Sequence, residues 1–146
     1  MISVLLAVLF ILFLLQQNAL AEETFINKGN ALLEAGKYEE AITFYDEVLE
    51  IQPKDIVALY NKAVSLSFLG NFSDAIEYYD KVLVMEPNAT DALIGKADNL
   101  AQLENYEEAI ALYDKALESN PNDVYASSMK RVTQDALNIE RLLSSN

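Results

Sequence analysis

The chain has 146 residues, 10 Lys and Arg against 23 Asp and Glu, a formal net charge of -13, and neither cysteine nor histidine. Those absences remove disulfides, thiol nucleophiles, the usual zinc ligands and the commonest general base. The charge argues against nucleic acid or anionic lipid as a ligand of the folded part, because phosphates select an excess of lysine and arginine, and it favours a neutral or basic partner. Much of the acidity reads simply as solubility, with Glu39-Glu40, Asp46-Glu47 and Glu107-Glu108 placed on outer helix faces or in first turns.

Residues 1–21 carry no charged side chain, and 2–15 are apolar throughout apart from Ser3. As a helix that apolar run covers about 20 Å, short of the roughly 30 Å hydrocarbon core. Gln16-Gln17-Asn18 then interrupts it, and Ala19-Leu20-Ala21 has the small-x-small form of a signal-peptidase site, with Glu22 opening the mature chain. Two readings stand. In the preferred one, cleavage near Ala21 yields a secreted or extracytoplasmic product; in the other, 2–21 stay as an N-terminal membrane anchor. Any membrane contact is through 1–21 alone.

From Glu22 onward the sequence repeats itself with a step of 34: Pro53, Pro87 and Pro121; Ala41, Ala75 and Ala109; Tyr45, Tyr79 and Tyr113; Gly29, Ala63 and Ala97. Such self-similarity indicates a stacked array rather than one irregular core. The units are 22–55, 56–89 and 90–123. In the middle unit Val57, Leu59, Tyr60, Ala63, Val64, Leu66 and Leu69 recur at helical spacing, the pattern breaks at Gly70-Asn71, and Phe72, Ala75, Ile76, Tyr79, Val82 and Leu83 resume it. That is a helix, a tight turn and a second helix, closed by Pro87. The first unit then has helices near 22–35 and 38–51, and the third near 90–103 and 106–119. Asp55, Asn88 or Thr90, and Asp123 are candidate N-caps.

The third unit has Glu104 where the others have Gly36 and Gly70, and Asn105 is the expected residue for a left-handed conformation there. Asn71-Phe72-Ser73 and Asn88-Ala89-Thr90 have the N-x-Ser/Thr form of glycosylation acceptors, which makes Asn71 and Asn88 possible glycan sites in an extracytoplasmic compartment; as plain turn and cap residues they need no such role. Residues 124–146 read as a capping helix and tail. Tyr125, Met129, Val132, Ala136, Ile139 and Leu143 make its expected inward stripe, with Lys130, Arg131, Gln134, Asp135, Asn138, Glu140 and Arg141 outward. Leu142, Leu143 and Ser144-Ser145-Asn146 are left as a frayed end or a dimer contact, with fraying expected.

The repeating unit resembles the tetratricopeptide repeat, through its small residues Gly29, Ala63 and Ala97, its alanines and tyrosines, and its three prolines. It departs from that family in carrying Phe25, Leu59 and Leu93 at the usual tryptophan position and lysine in place of the leucine before the small residue. The resemblance implies an all-α, right-handed solenoid of helix-turn-helix repeats, whose concave surface is lined by the first helix of each. In that register the groove is built from Glu23, Ile26, Asn27, Asn30, Leu33, Val57, Tyr60, Asn61, Val64, Phe68, Asp91, Ile94, Gly95 and Asp98. Its apolar members offer contact area, and Asn27, Asn30 and Asn61 offer amides that pair with peptide backbone.

Some relatives hold the acidic C-terminus of chaperones with two asparagines and three cations. The asparagines match Asn30 and Asn61, but the cation positions hold Ile26, Asp91 and Gly95, so the clamp is broken and Asp91 repels an acidic tail. The expectation is a non-catalytic scaffold that binds a protein segment, neutral or basic rather than acidic, exported or held at a membrane. The alternative is a structural assembly subunit of an envelope or secretion complex, using the convex face or the C-terminal helix. Asp91 and Asp98 are the best carboxylate pair for acid-base work or calcium, yet no ligand loop accompanies them, so no residue is assigned to catalysis, a cofactor or a metal.

Overall fold

Each 34-residue unit folds into a helix pair because its apolar residues recur three and four apart on both sides of a turn that only a left-handed residue closes. The computed structural model describes residues 2–145; Met1, part of the leader, and Asn146, part of the tail, lie outside the described residues. The helices are α1 (Ile2–Glu34), α2 (Tyr38–Ile51), α3 (Ile56–Phe68), α4 (Phe72–Met85), α5 (Thr90–Gln102), α6 (Tyr106–Ser119) and α7 (Val124–Ser144). Every helix packs on the next in sequence, and α1, α3, α5 and α7 also touch one another in succession, whereas α2, α4 and α6 do not. The first helices therefore form the narrow inner layer and the second helices fan out around them. This is an all-α solenoid of helical repeats.

The core follows the 34-residue step. Ala41, Ala75 and Ala109 are wholly buried, and Tyr45, Tyr79 and Tyr113 pack beside them. Small residues let the two backbones approach while the rings fill the space around them. Each cluster is closed by an alanine from the following unit: Ala58 completes the first, Ala92 the second and Ala126 the third. No unit buries its apolar face alone, so stability accumulates across the interfaces.

Several local expectations need correction. Helix α1 does not start at Glu22: it runs unbroken from Ile2 through Gln16-Gln17-Asn18 and the Ala21-Glu22 junction, because no glycine or proline precedes Gly29 and glutamine and alanine sustain a helix. Asp55 and Asp123 do cap α3 and α7, accepting from the amides of Ala58 and Ala126. Neither Asn88 nor Thr90 caps α5; its N-cap is Ala89, with no side-chain bond. In the third turn the positive φ falls on Glu104, at 63°, in register with Gly36 and Gly70, while Asn105 has φ -82°. The reason is the hydrogen-bond pattern. Lys37, Asn71 and Asn105 each return an amide bond of 2.9 Å to Leu32, Leu66 and Leu100, and that closure places the left-handed residue just before them.

The capping helix is rotated from the expected stripe. Ala126, Thr133 and Leu137 are buried and Met129 packs on the third cluster, while Tyr125, Val132, Ile139 and Leu143 are exposed and Ala136 is half-buried. Helix α7 occupies the place of a fourth first helix, with no second helix after it among the described residues. The positions that would have met one are polar: Ser127 for Leu93, Arg131 for Ala97, Gln134 for Leu100. Lys130, expected on the wet face, instead pairs with Asp114 of α6. Where fraying was expected, α7 stays helical to Ser144.

Candidate interaction groove

The inner layer leaves a cavity of about 670 Å³ between α3, α5 and α7. Helix α3 contributes Tyr60, Val64 and Phe68; α5 contributes Asp91, Ile94, Gly95, Asp98 and Asn99; Asp123 and Tyr125 come from the start of α7. The charged residues that line it are all aspartates, with no lysine or arginine among them. Such a volume lies within the range of ligand pockets, which run to roughly 300–1,000 Å³.

Asp98 is the centre of the polar part. Its Oδ1 accepts the hydroxyl of Tyr113, and its Oδ2 accepts that of Tyr125 at 2.8 Å, so α5, α6 and the cap meet on one carboxylate. Burial pushes its pKa up, against the opposing pull of those two hydroxyls. Burial likewise raises the Tyr125 phenol to about 12, and hydrogen bonding to Asp98 adds to the effect. Tyr60 is raised by burial first and then by the negative charges of Asp91 and Asp98. The Tyr60 ring meets Tyr79 edge-on, with centroids 5.8 Å apart. Room for Tyr79 depends on Gly95, since a Cβ there would stand 2.5 Å from the ring's Cζ.

The neighbouring Asn99 is buried and donates its amide to Ser67 Oγ (2.8 Å) and to the Gly95 carbonyl (2.7 Å). Its Oδ1 has no partner among the described residues. An unpaired buried carbonyl oxygen costs on the order of 1–3 kcal/mol.

Of the residues assigned to the groove from sequence, Tyr60, Val64, Phe68, Asp91, Ile94, Gly95 and Asp98 come together around this cavity. Ile94 does so only at its edge: at 9% exposure it belongs to the third core cluster, because α6 and α7 close over that side of α5. Phe68 is exposed but stacks on Tyr38, centroids 4.7 Å apart. Ile26, Asn27, Asn30, Val57 and Asn61 lie outside the cavity lining. Asn30 and Asn61 are joined, Asn61 Nδ2 donating to Asn30 Oδ1 at 2.8 Å and Tyr45 donating to the same oxygen at 3.0 Å. Asn71 and Asn88 are both exposed, in the α3–α4 and α4–α5 turns.

The lining residues that sequence reasoning missed are Ser67, Phe72, Tyr79, Asn99, Gln102, Asp123 and above all Tyr125. A signal for Tyr125 existed: it stands 34 residues after Asp91 and 68 after Val57, both in the groove register. Treating α7 as a cap with its own hydropathy stripe concealed it.

Family models described as tetratricopeptide repeat match residues 22–55 and 60–124. The chain belongs to the tetratricopeptide repeat family. Among solved tetratricopeptide domains, the first TPR of Spaghetti (RPAP3) bound to the HSP90 peptide SRMEEVD is 27% identical, with a TM-score of 0.77 over 80% of this chain and 93% of that one. The first TPR domain of human RPAP3 is also 27% identical, with a TM-score of 0.78 over 82% and 94%. MamA from Desulfovibrio magneticus matches at 21% identity, with a TM-score of 0.78 over 85% of this chain and 70% of that one, a likeness of fold alone. No curated protein matches the sequence.

Proposed function

We propose that this tetratricopeptide array is a non-catalytic scaffold that holds a segment of another protein in its concave groove, and that the segment is neutral or basic rather than acidic. The observation that carries the proposal is the cavity between α3, α5 and α7, walled by Tyr60, Phe68 and Tyr125 and charged only by aspartates. Aromatic walls supply contact area, and side-chain amides read peptide backbone. The Spaghetti domain was solved with an acidic peptide. Here the three cation positions of the chaperone clamp hold Ile26, Asp91 and Gly95, so such a tail meets repulsion instead of a counter-charge. Titrating the peptide SRMEEVD and a charge-reversed version is the test. Saturable micromolar binding of the acidic peptide defeats the charge preference; binding of neither, nor of any selected peptide, defeats the groove.

The proposal includes export or tethering through the leader. Near its N-terminus α1 is long and apolar enough to cross a membrane, and Leu5, Phe10, Phe13 and Leu15 are exposed along it. Mass spectrometry of the chain from its own cells separates the two routes, since removal of 1–21 leaves Glu22 first and an anchor keeps the leader. The same spectrum reports any glycan on Asn71 or Asn88.

A second reading, a structural subunit of a larger envelope or secretion assembly, is favoured by the exposed apolar side of α7, where Val132, Ile139 and Leu143 are uncovered. A pull-down that compares Tyr60→Ala plus Asn61→Ala with Ile139→Glu distinguishes them. Loss of partner with the second change alone supports assembly.

A further inference from the structure

We infer that the cavity receives one cationic side chain, an arginine or lysine presented by the bound segment, with Asp98 as its counter-charge and the rings of Tyr60 and Tyr125 as its walls. The inference rests on the groove reading above and names what that groove selects.

Charge bookkeeping across the array is the first support. Asp46, Asp80 and Asp114, at one repeated position, are each paired with a lysine from the next first helix. Asp98 is half-buried and has no ion pair among the described residues; its partners are two neutral phenols. Two hydroxyls fix the orientation of a carboxylate but supply no opposite charge, and a partly dry carboxylate without one is unfavourable. A carboxylate offers about four lone-pair sites, so roughly two remain on Asp98 for an incoming fork of N–H donors.

The second support is independent of the aspartates. Asn99 borders the same cavity with a buried Oδ1 that nothing among the described residues satisfies. An unsatisfied acceptor on a residue that lines a cavity charged only by aspartates suits a ligand that is all donors, and guanidinium and ammonium groups are such ligands. The third is the wall: Tyr60 and Tyr125 line the cavity together with the carboxylate, and cations are attracted to the faces of such rings. Because Tyr125 comes from α7 and bonds across to α5, the receptor is complete only when the cap is docked.

The test uses the full-length chain in detergent micelles, a random displayed heptapeptide library, and calorimetry on synthetic copies of the enriched peptides. The expected result is enrichment of arginine or lysine at one peptide position. Replacing that residue by a neutral analogue, isosteric citrulline for arginine or norleucine for lysine, should weaken binding at least about tenfold, or about 1.4 kcal/mol. Asp98→Asn, which keeps the shape and can still hydrogen-bond, should bring the cationic and neutral peptides to equal affinity. Asn61→Ala should weaken both alike. Binders without a cationic position, or discrimination that survives Asp98→Asn, overturn the inference and leave the groove intact. A library that yields no binders overturns both.

Discussion

Lys62 on α3 reaches back across the repeat boundary to Asp46 on α2, and the pair recurs in register as Lys96 with Asp80 (2.8 Å) and Lys130 with Asp114. This ladder accounts for Lys62 and Lys96, two of the three lysines that stand where the family favours leucine. Each is a bolt between one unit and the next, largely shielded from water at Lys62 and Lys96. Lys62 also donates to the Tyr78 hydroxyl at 2.8 Å and lies 4.3 Å over its ring. Lys28 has no such partner, since its counterpart position is Leu12, and it sits 5.6 Å over Phe44 instead.

The first prediction contrasts those two lysines. Lys62→Met keeps an apolar stem but removes the ion pair and the bond to Tyr78, and should lower stability by about 1–2 kcal/mol in urea denaturation. Lys28→Met should cost under about 0.5 kcal/mol. Equal losses in the two variants would show that the ladder contributes nothing beyond stem packing.

Glu104 carries the left-handed conformation that Gly36 and Gly70 adopt without strain. An L side chain there costs roughly 1–2 kcal/mol, and the turn persists because the flanking helices and the Asn105-to-Leu100 bond impose it. Glu104→Gly should therefore raise the thermal midpoint, with a gain of up to about 1 kcal/mol after the added freedom of the unfolded chain is subtracted. An unchanged or lower midpoint rules the strain out.

Legibility in the sequence follows the same division. The 34-residue period made the helix pairs, their turns and the core alanines and tyrosines readable, because identical residues at identical spacing face the same packing problem. What stayed hidden belongs to single copies. Asn105 looked the better left-handed residue by intrinsic preference, but the helix-closing bond dictates position and overrides it. The α7 stripe was misread because hydropathy spacing cannot say which apolar face meets protein and which meets solvent; the buried Ala126 follows Ala58 and Ala92. The hydrogen bond between Asn30 and Asn61 spans two helices and has no local signature.

Gly95 supports a prediction about fit. A methyl group there would fall 2.5 Å from Tyr79 Cζ and 2.7 Å from its hydroxyl oxygen, and the ring is nearly inaccessible. Gly95→Ala gains up to about 1 kcal/mol of helix propensity. Over-packing costs about 1–3 kcal/mol, and the Tyr79 ring must shift. The net effect should be a loss of stability, with a changed Tyr79 environment in near-ultraviolet circular dichroism. Pairing the change with Tyr79→Phe should recover part of the loss; no recovery would place the strain elsewhere.

The final prediction concerns alkaline pH, where the repeat tyrosines and Lys62 act together. Burial raises Tyr45 to about 12, in spite of the lowering bond with Asn61, and it raises Tyr79 and Tyr113 further. In the unfolded chain a tyrosine ionises near pH 10, so above about pH 10 the unfolded state releases protons that the folded state retains. Each phenol then removes stability by up to about 1.4 kcal/mol per pH unit until its folded pKa is reached. For Lys62, burial lowers the pKa but the bonds to Asp46 and Tyr78 outweigh it, leaving a net rise. Its contribution is full below the unfolded lysine value and fades as pH climbs past it, in the same direction as the tyrosines. Stability should thus be flat from about pH 7 to 9 and fall steeply above about pH 10, with tyrosinate absorbance and helix loss appearing together. Tyr79→Phe, which cannot ionise, should move that alkaline transition upward at unchanged protein concentration. Tyrosinate absorbance that grows while the helices remain folded would mean that the rings titrate in place, and the linkage would fail.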